Sequence, residues 1–127
     1  LGLIGGDGVA FTERQADGLK VVARSAAAPV VLSGPRALDL DASAVKTVSL
    51  QFRRGAPEKA KLIWSGQKSS EGEILRKGDR TEAIFHLENN PAWKGRIDQL
   101  QFELHGQKEY LIPELSVGEA VLEGGQP

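Results

Sequence analysis

Apolar and polar positions alternate over short runs of this chain, and no stretch sustains a helical period of useful length. The clearest run spans residues 78–104, GDRTEAIFHLENNPAWKGRIDQLQFEL. In its first half Ala83, Phe85 and Leu87 alternate with Glu82, Ile84 and His86; in its second, Leu100, Phe102 and Leu104 alternate with Gln99, Gln101 and Glu103. Strict alternation marks a strand with one buried face. Asn89-Asn90-Pro91 interrupts it, because proline lacks an amide donor and drives the preceding residue towards extended backbone. The region therefore reads as two strands joined by a loop that carries Trp93.

The same period recurs upstream. Across residues 45–53, Val48, Leu50 and Phe52 share one face, and Thr47, Ser49, Gln51 and Arg53 the other. After the turn at Gly55-Ala56-Pro57, Ala60, Leu62 and Trp64 alternate with Lys59, Lys61, Ile63 and Ser65. Weaker strand patterns cover residues 9–11, 19–24, 29–32, 36–40, 73–76, 109–112 and 114–122, with a tight turn at Lys77-Gly78-Asp79 and Pro113 at a bend or edge. Residues 66–72 read as an exposed polar loop, and residues 1–8 and 123–127 as flexible ends. Roughly eight to ten short strands at near-regular spacing, with no helix, predict a single all-β domain over residues 1–127, an antiparallel β-sandwich. Its expected core is Val48, Leu50, Phe52, Leu62, Trp64, Phe85, Leu87, Leu100, Phe102 and Leu104.

Composition narrows the function classes. A length of 127 residues suits one domain with a real core. A formal net charge of −1 gives no reason to expect nucleic acid or an anionic membrane surface as a partner. Without cysteine there is neither a disulfide nor a thiolate metal site. No apolar run approaches the ~20 residues of a spanning helix, so membrane insertion by this segment is not expected. The chain begins at Leu1 and contains no methionine, which leads us to expect a processed product or a domain of a longer protein.

Candidate chemistry is sparse. The glycine-rich start does not match a dinucleotide loop, since after Gly6 and Gly8 the third glycine position is Phe11. Asp39, Asp41 and Ser43 place oxygens at alternate positions like the opening of a calcium loop. Ala44 and Leu50, however, occupy the positions where an EF-hand needs glycine and glutamate; a structural calcium between loops is the remaining metal expectation, and no other cofactor is expected. His86 and His105 lack zinc-site spacing. No serine lies in a nucleophile elbow, and nothing singles out a catalytic pair among the 17 acidic residues. The expectation is a non-enzyme. The polar strand faces offer Gln51, Arg53, Lys61, His86, Gln99, Gln101 and Glu103, amide and ionic groups able to bond sugar hydroxyls. With Trp64 on the core face, Trp93 and Tyr110 are the aromatics left to stack on a sugar; a loop tryptophan also serves as the apolar plug of a sandwich end.

The segments Val48-Ser49-Leu50-Gln51-Phe52, Ala60-Lys61-Leu62-Ile63-Trp64, Phe85-His86-Leu87 and the run from Asn90-Pro91-Ala92-Trp93 to Phe102 resemble, in order and content, bacterial carbohydrate-binding-module-like jelly rolls with a galactose-binding-domain-like sandwich. Asp17-Gly18-Leu19-Lys20-Val21 fits the early strand of such modules, and the resemblance covers roughly residues 9–122. It implies a non-catalytic, extracytoplasmic accessory domain (periplasmic, cell-surface or secreted) of a larger bacterial protein. The implied partner is a polysaccharide or oligosaccharide, with Gln51, Arg53, Lys61, His86, Trp93, Gln99 and Gln101 as the expected ligand-binding residues. The alternatives are a structural or interaction module contacting other domains of its parent, and a small polysaccharide-acting enzyme.

Overall fold

The computed structural model of the chain describes residues 3–34, 38–53, 55–66, 68–118 and 120–123, the last four by backbone alone. The strands, in chain order, are β1 (Ile4–Gly5), β2 (Val9–Gln15), β3 (Gly18–Ala23), β4 (Val30–Ser33), β5 (Leu40–Asp41), β6 (Thr47–Phe52), β7 (Lys59–Trp64), β8 (Lys68–Glu71), β9 (Glu73–Lys77), β10 (Arg80–His86), β11 (Arg96–Ile97), β12 (Leu100–His105), β13 (Glu109–Ile112), β14 (Glu114–Val117) and β15 (Ala120–Glu123). Among the described residues the one other regular element is a 3-10 turn, Ala42–Ala44.

Two five-stranded antiparallel sheets form the sandwich, with strand orders β1-β4-β12-β7-β8 and β15-β14-β6-β10-β9. Each strand of the inner pairs turns its alternate apolar residues inwards, and all ten expected core residues are at most 1% exposed. Phe85 of β10 and Phe102 of β12 meet across the two sheets with ring centroids 5.9 Å apart. Burying each side chain of this size contributes about 1.5–3 kcal/mol, so the seam between the two sheets is a large part of the cohesion of the fold. A three-stranded sheet, β13-β3-β2, adds Leu19, Val21, Tyr110 and Ile112 to the same core, and Tyr110 packs on Phe52 with centroids 5.8 Å apart. A two-residue ladder joins β11 to β5.

The antiparallel sandwich agrees with the alternation read from sequence, and several local expectations are corrected. Residues 66–72 are not a loop throughout. Lys68–Glu71 is the edge strand β8, paired with β7 from Lys61↔Glu71 to Trp64↔Lys68; its polar side chains hid it, since an edge strand over solvent needs no apolar face. The chain then passes through Gly72 directly into β9, the edge of the other sheet. Gly72 N–H donates to Ala60 O at 2.8 Å, and a Cβ here would lie 2.8 Å from the Phe85 ring. The expected strand over 114–122 is two antiparallel strands, β14 and β15, paired with each other; residue 119 lies outside the described residues. The first strand extends to Gln15, and the entry segment is docked: Leu3 is buried, and β1 pairs with β4. Of the expected edge strand at 36–40, residues 36 and 37 lie outside the described residues; Leu40 begins the short β5.

Two predictions follow from this packing. Gly72→Ala forces a methyl group against the Phe85 ring and should lower stability by about 1–3 kcal/mol, the usual cost of overpacking, measured as a reduced urea midpoint at unchanged m-value. The second concerns Tyr110, whose phenol is held above the ordinary value of 10.0 chiefly by burial, partly offset by the Gln107 N–H that donates to its oxygen at 3.2 Å. Its folded value is raised, so the unfolded chain loses this proton first. Stability is therefore fully present below about pH 10 and falls as pH rises beyond it. Denaturation midpoints between pH 8 and 11 should show that decline in the native chain and a shallower one in Tyr110→Phe.

Candidate functional site

The outer face of the β1-β4-β12-β7-β8 sheet carries the side chains that alternate with the core residues. Register places Lys61 between Glu103 of β12 and Glu71 of β8, so a cation lies flanked by two carboxylates across three strands. Gln101 is opposite Ile63 and diagonal to Lys61, and His105 is opposite Lys59. His105 Nε2 lies 2.9 Å from Glu103 Oε1. Lys59, Lys61, Glu71, Glu103 and His105 line a depression of about 180 Å³. Because these groups project from the pleats of three adjacent strands, β12, β7 and β8, their spacing is set by the sheet rather than by loop conformation.

A second concavity, of about 380 Å³, lies at one end of the sandwich, lined by Arg14, Asp17, Gly18, Arg53, Arg80 and Pro113 among others. Arg53 follows the last residue of β6, and Arg80 begins β10, whose Thr81 pairs with Phe52. The β2–β3 turn brings Arg14 and Asp17. That turn is seated tightly: Gly18 has φ +144°, and a Cβ there would stand 2.7 Å from Ile112 O and 2.9 Å from Pro113 Cα. Only glycine accommodates both the conformation and the approach. Arg80 is oriented by Gln51, whose Oε1 accepts from Nη1 at 2.8 Å.

The expected binding residues are thus distributed over separate surfaces. Lys61 and Gln101 share the depressed sheet face. Gln51 and Arg53 belong to the end cleft, Gln51 as the partner of Arg80 and Arg53 as an exposed lining residue. His86 stands exposed at the far end of the β6–β10 ladder, opposite Thr47 and 2.9 Å from Glu73. Gln99 is exposed at the entry to β12. Arg14 and Arg80 were not expected; the fold gathers them from distant segments, and no local pattern in the sequence signals that meeting.

Trp93 occupies the core as a plug rather than a surface platform. It is 7% exposed, its Nε1 donates to Val45 O at 2.8 Å, and it meets Trp64 edge-to-face at 5.0 Å. Trp64 Nε1 in turn donates to Ala92 O at 3.1 Å. Tyr110 is fully buried as well. Neither aromatic expected to stack on a sugar is therefore available, because each covers a large apolar area that water would otherwise face. The exposed aromatic is Phe11 on β2, 51% accessible.

The oxygen-rich stretch around Asp39 is engaged internally. Asp41 caps the 3-10 turn, its Oδ1 accepting from Ser43 Oγ at 2.7 Å and Ser43 N at 3.0 Å, and these bonds hold its carboxyl below the ordinary value. Asp39 accepts from Arg96 Nε at 3.0 Å. Among the described residues no three His, Asp or Glu side chains are grouped to hold a metal ion.

Compared with models of known protein families and with curated proteins, the chain matches none.

Removing the plug should cost stability directly. Trp93→Ala is expected to lower unfolding free energy by about 3–5 kcal/mol, the range for truncating a buried aromatic, as read from urea denaturation followed by Trp64 fluorescence. A loss below about 1 kcal/mol would contradict the plug role, since the indole hydrogen bond alone is worth about that much.

Proposed function

We propose that the domain binds a polysaccharide reversibly and without catalysis, as a carbohydrate-binding-module-like jelly roll within a larger extracytoplasmic protein. The ligand lies along the outer face of β12, β7 and β8. The observation that supports this reading is the ordered set of donors and acceptors on that face: the Lys61 ammonium between Glu71 and Glu103, Gln101 diagonal to it, and His105 beside Glu103. Sugar hydroxyls both donate and accept. A lysine supplies donors only, a carboxylate acceptors only and a primary amide both, so this array complements a diol in either orientation. Half-buried stems on rigid strands reduce the ordering cost of binding. Without an exposed tryptophan or tyrosine, recognition rests on hydrogen bonds, and affinity comes from repeated contacts along a chain rather than from a single sugar.

A separate observation favours the interaction-module alternative. Ile4 and Phe11 are 39% and 51% exposed, and with Val9 they line a shallow depression of about 300 Å³ beside the edge strand β2. An apolar surface of this kind suits a protein neighbour better than a sugar hydroxyl.

The two readings separate in affinity electrophoresis through gels containing neutral glucans, xylan or galactomannan. Glycan binding predicts retardation by at least one polymer, weakened about tenfold or more in Lys61→Ala/Gln101→Ala, the loss of two or more hydrogen bonds, at unchanged melting temperature. A folded domain that no polymer retards, or a double variant that binds like the native chain, would refute the proposed face. Release of reducing ends from a retained polymer would instead establish catalysis.

A further inference from the structure

We infer that the cleft at the Arg53 end of the sandwich is a second binding site, independent of the glycan face, for an oxyanion carried on a carboxylate, sulfate or phosphate group. Three guanidinium-bearing residues, Arg14, Arg53 and Arg80, line one concavity of about 380 Å³, with Asp17 as the acidic residue beside them. The whole chain carries a formal net charge of −1, so this clustering is local and not a reflection of general basicity. Like charges brought to one cleft repel, and an anion seated among them offsets that repulsion.

The individual residues are suited to the task. Arg80 is steadied by the single bond to Gln51 Oε1; a guanidinium has five N–H donors, so most of its hydrogen-bonding capacity is left for a ligand. The Arg53 side chain is exposed and forms no ion pair among the described residues. Its main chain is nonetheless fixed, because Arg53 N–H donates to Leu111 O at 2.9 Å and ties the end of β6 to β13. The tight seat of Gly18 on Ile112 and Pro113 fixes the turn that delivers Arg14 and Asp17. Two fork-shaped donors on anchored backbone are the geometry that takes carboxylate or phosphate oxygens pairwise, which a lysine cannot do. Arg53 and Arg80 together match a ligand group of one or two negative charges.

The test follows the arginine side-chain Nε–Hε resonances of the whole domain during separate titrations with sodium glucuronate, sodium sulfate and sodium phosphate at constant ionic strength. Saturable shifts of the Arg53 and Arg80 signals are expected with at least one salt; the one that binds most tightly identifies the source of the oxyanion. Arg53→Gln, at an exposed position that leaves the core intact, should weaken that binding by about tenfold or more. Arg24→Gln provides the control. It removes the same charge from an exposed position just past Ala23, at the end of β3 opposite the Gly18 turn that lines the cleft, and should change affinity by less than about twofold. Failure of all three anions to give saturable shifts overturns the inference. So does an equal loss in the two variants, which would reduce the effect to overall charge. The glycan face is tested by Lys61 and Gln101, so neither result bears on it.

Discussion

Two indole N–H groups are enclosed at one end of this sandwich, and each must find an acceptor inside the protein. Trp64 takes the Ala92 carbonyl and Trp93 the Val45 carbonyl. An unpaired buried donor costs about 1–3 kcal/mol, so these two bonds fix where the loop after β10 lies relative to the start of β6. That loop closes the sandwich, and the edge-to-face contact of the two rings fills it. With this end sealed by apolar area, β6 is held at its entry and carries Arg53 to the opposite end, a span of roughly 20 Å at the rise of an extended strand. The two ends of the sandwich core thus have different characters, one dry and closed, the other open and lined by arginines.

The two broad faces differ as well. On the β15-β14-β6-β10-β9 sheet, the Lys77–Glu82 pair and the His86–Glu73 pair engage side chains along the edge formed by β9 and β10. The latter pair is more than half exposed on both sides, and surface pairs of this kind contribute little to stability. On the other sheet, charged groups of both signs alternate around a depression. That contrast, rather than the number of polar residues on either face, sets Lys61, Gln101 and their neighbours apart from His86.

The parts of the fold that could be read from sequence are those where one side of a strand is dry. The alternation at Val48, Leu50 and Phe52, and again at Leu100, Phe102 and Leu104, follows directly from burial of every second residue. Strands without a dry side gave no such signal. β8 is Lys-Ser-Ser-Glu at an edge, and the residues of β2 beyond Val9 are exposed on both faces. The candidate surfaces were partly legible for a related reason: Lys61 and Gln101 appear as outward residues of strong strands, whereas the meeting of Arg14, Arg53 and Arg80 depends on which strands are neighbours. Trp93 shows the limit of residue type as a guide. An indole suits a sugar platform and a core plug equally well, and its hydrogen-bond partner at Val45, 48 positions earlier, decides between them.

The passage from β8 through Gly72 into β9 makes a single ribbon the outer border of both sheets. Peeling that border from β7 exposes the ladder to β10 within a few residues, because the two pairings share one uninterrupted backbone. Loosening of either sheet along this side is therefore transmitted to the other, and the two layers open as one cooperative unit instead of as independent leaves.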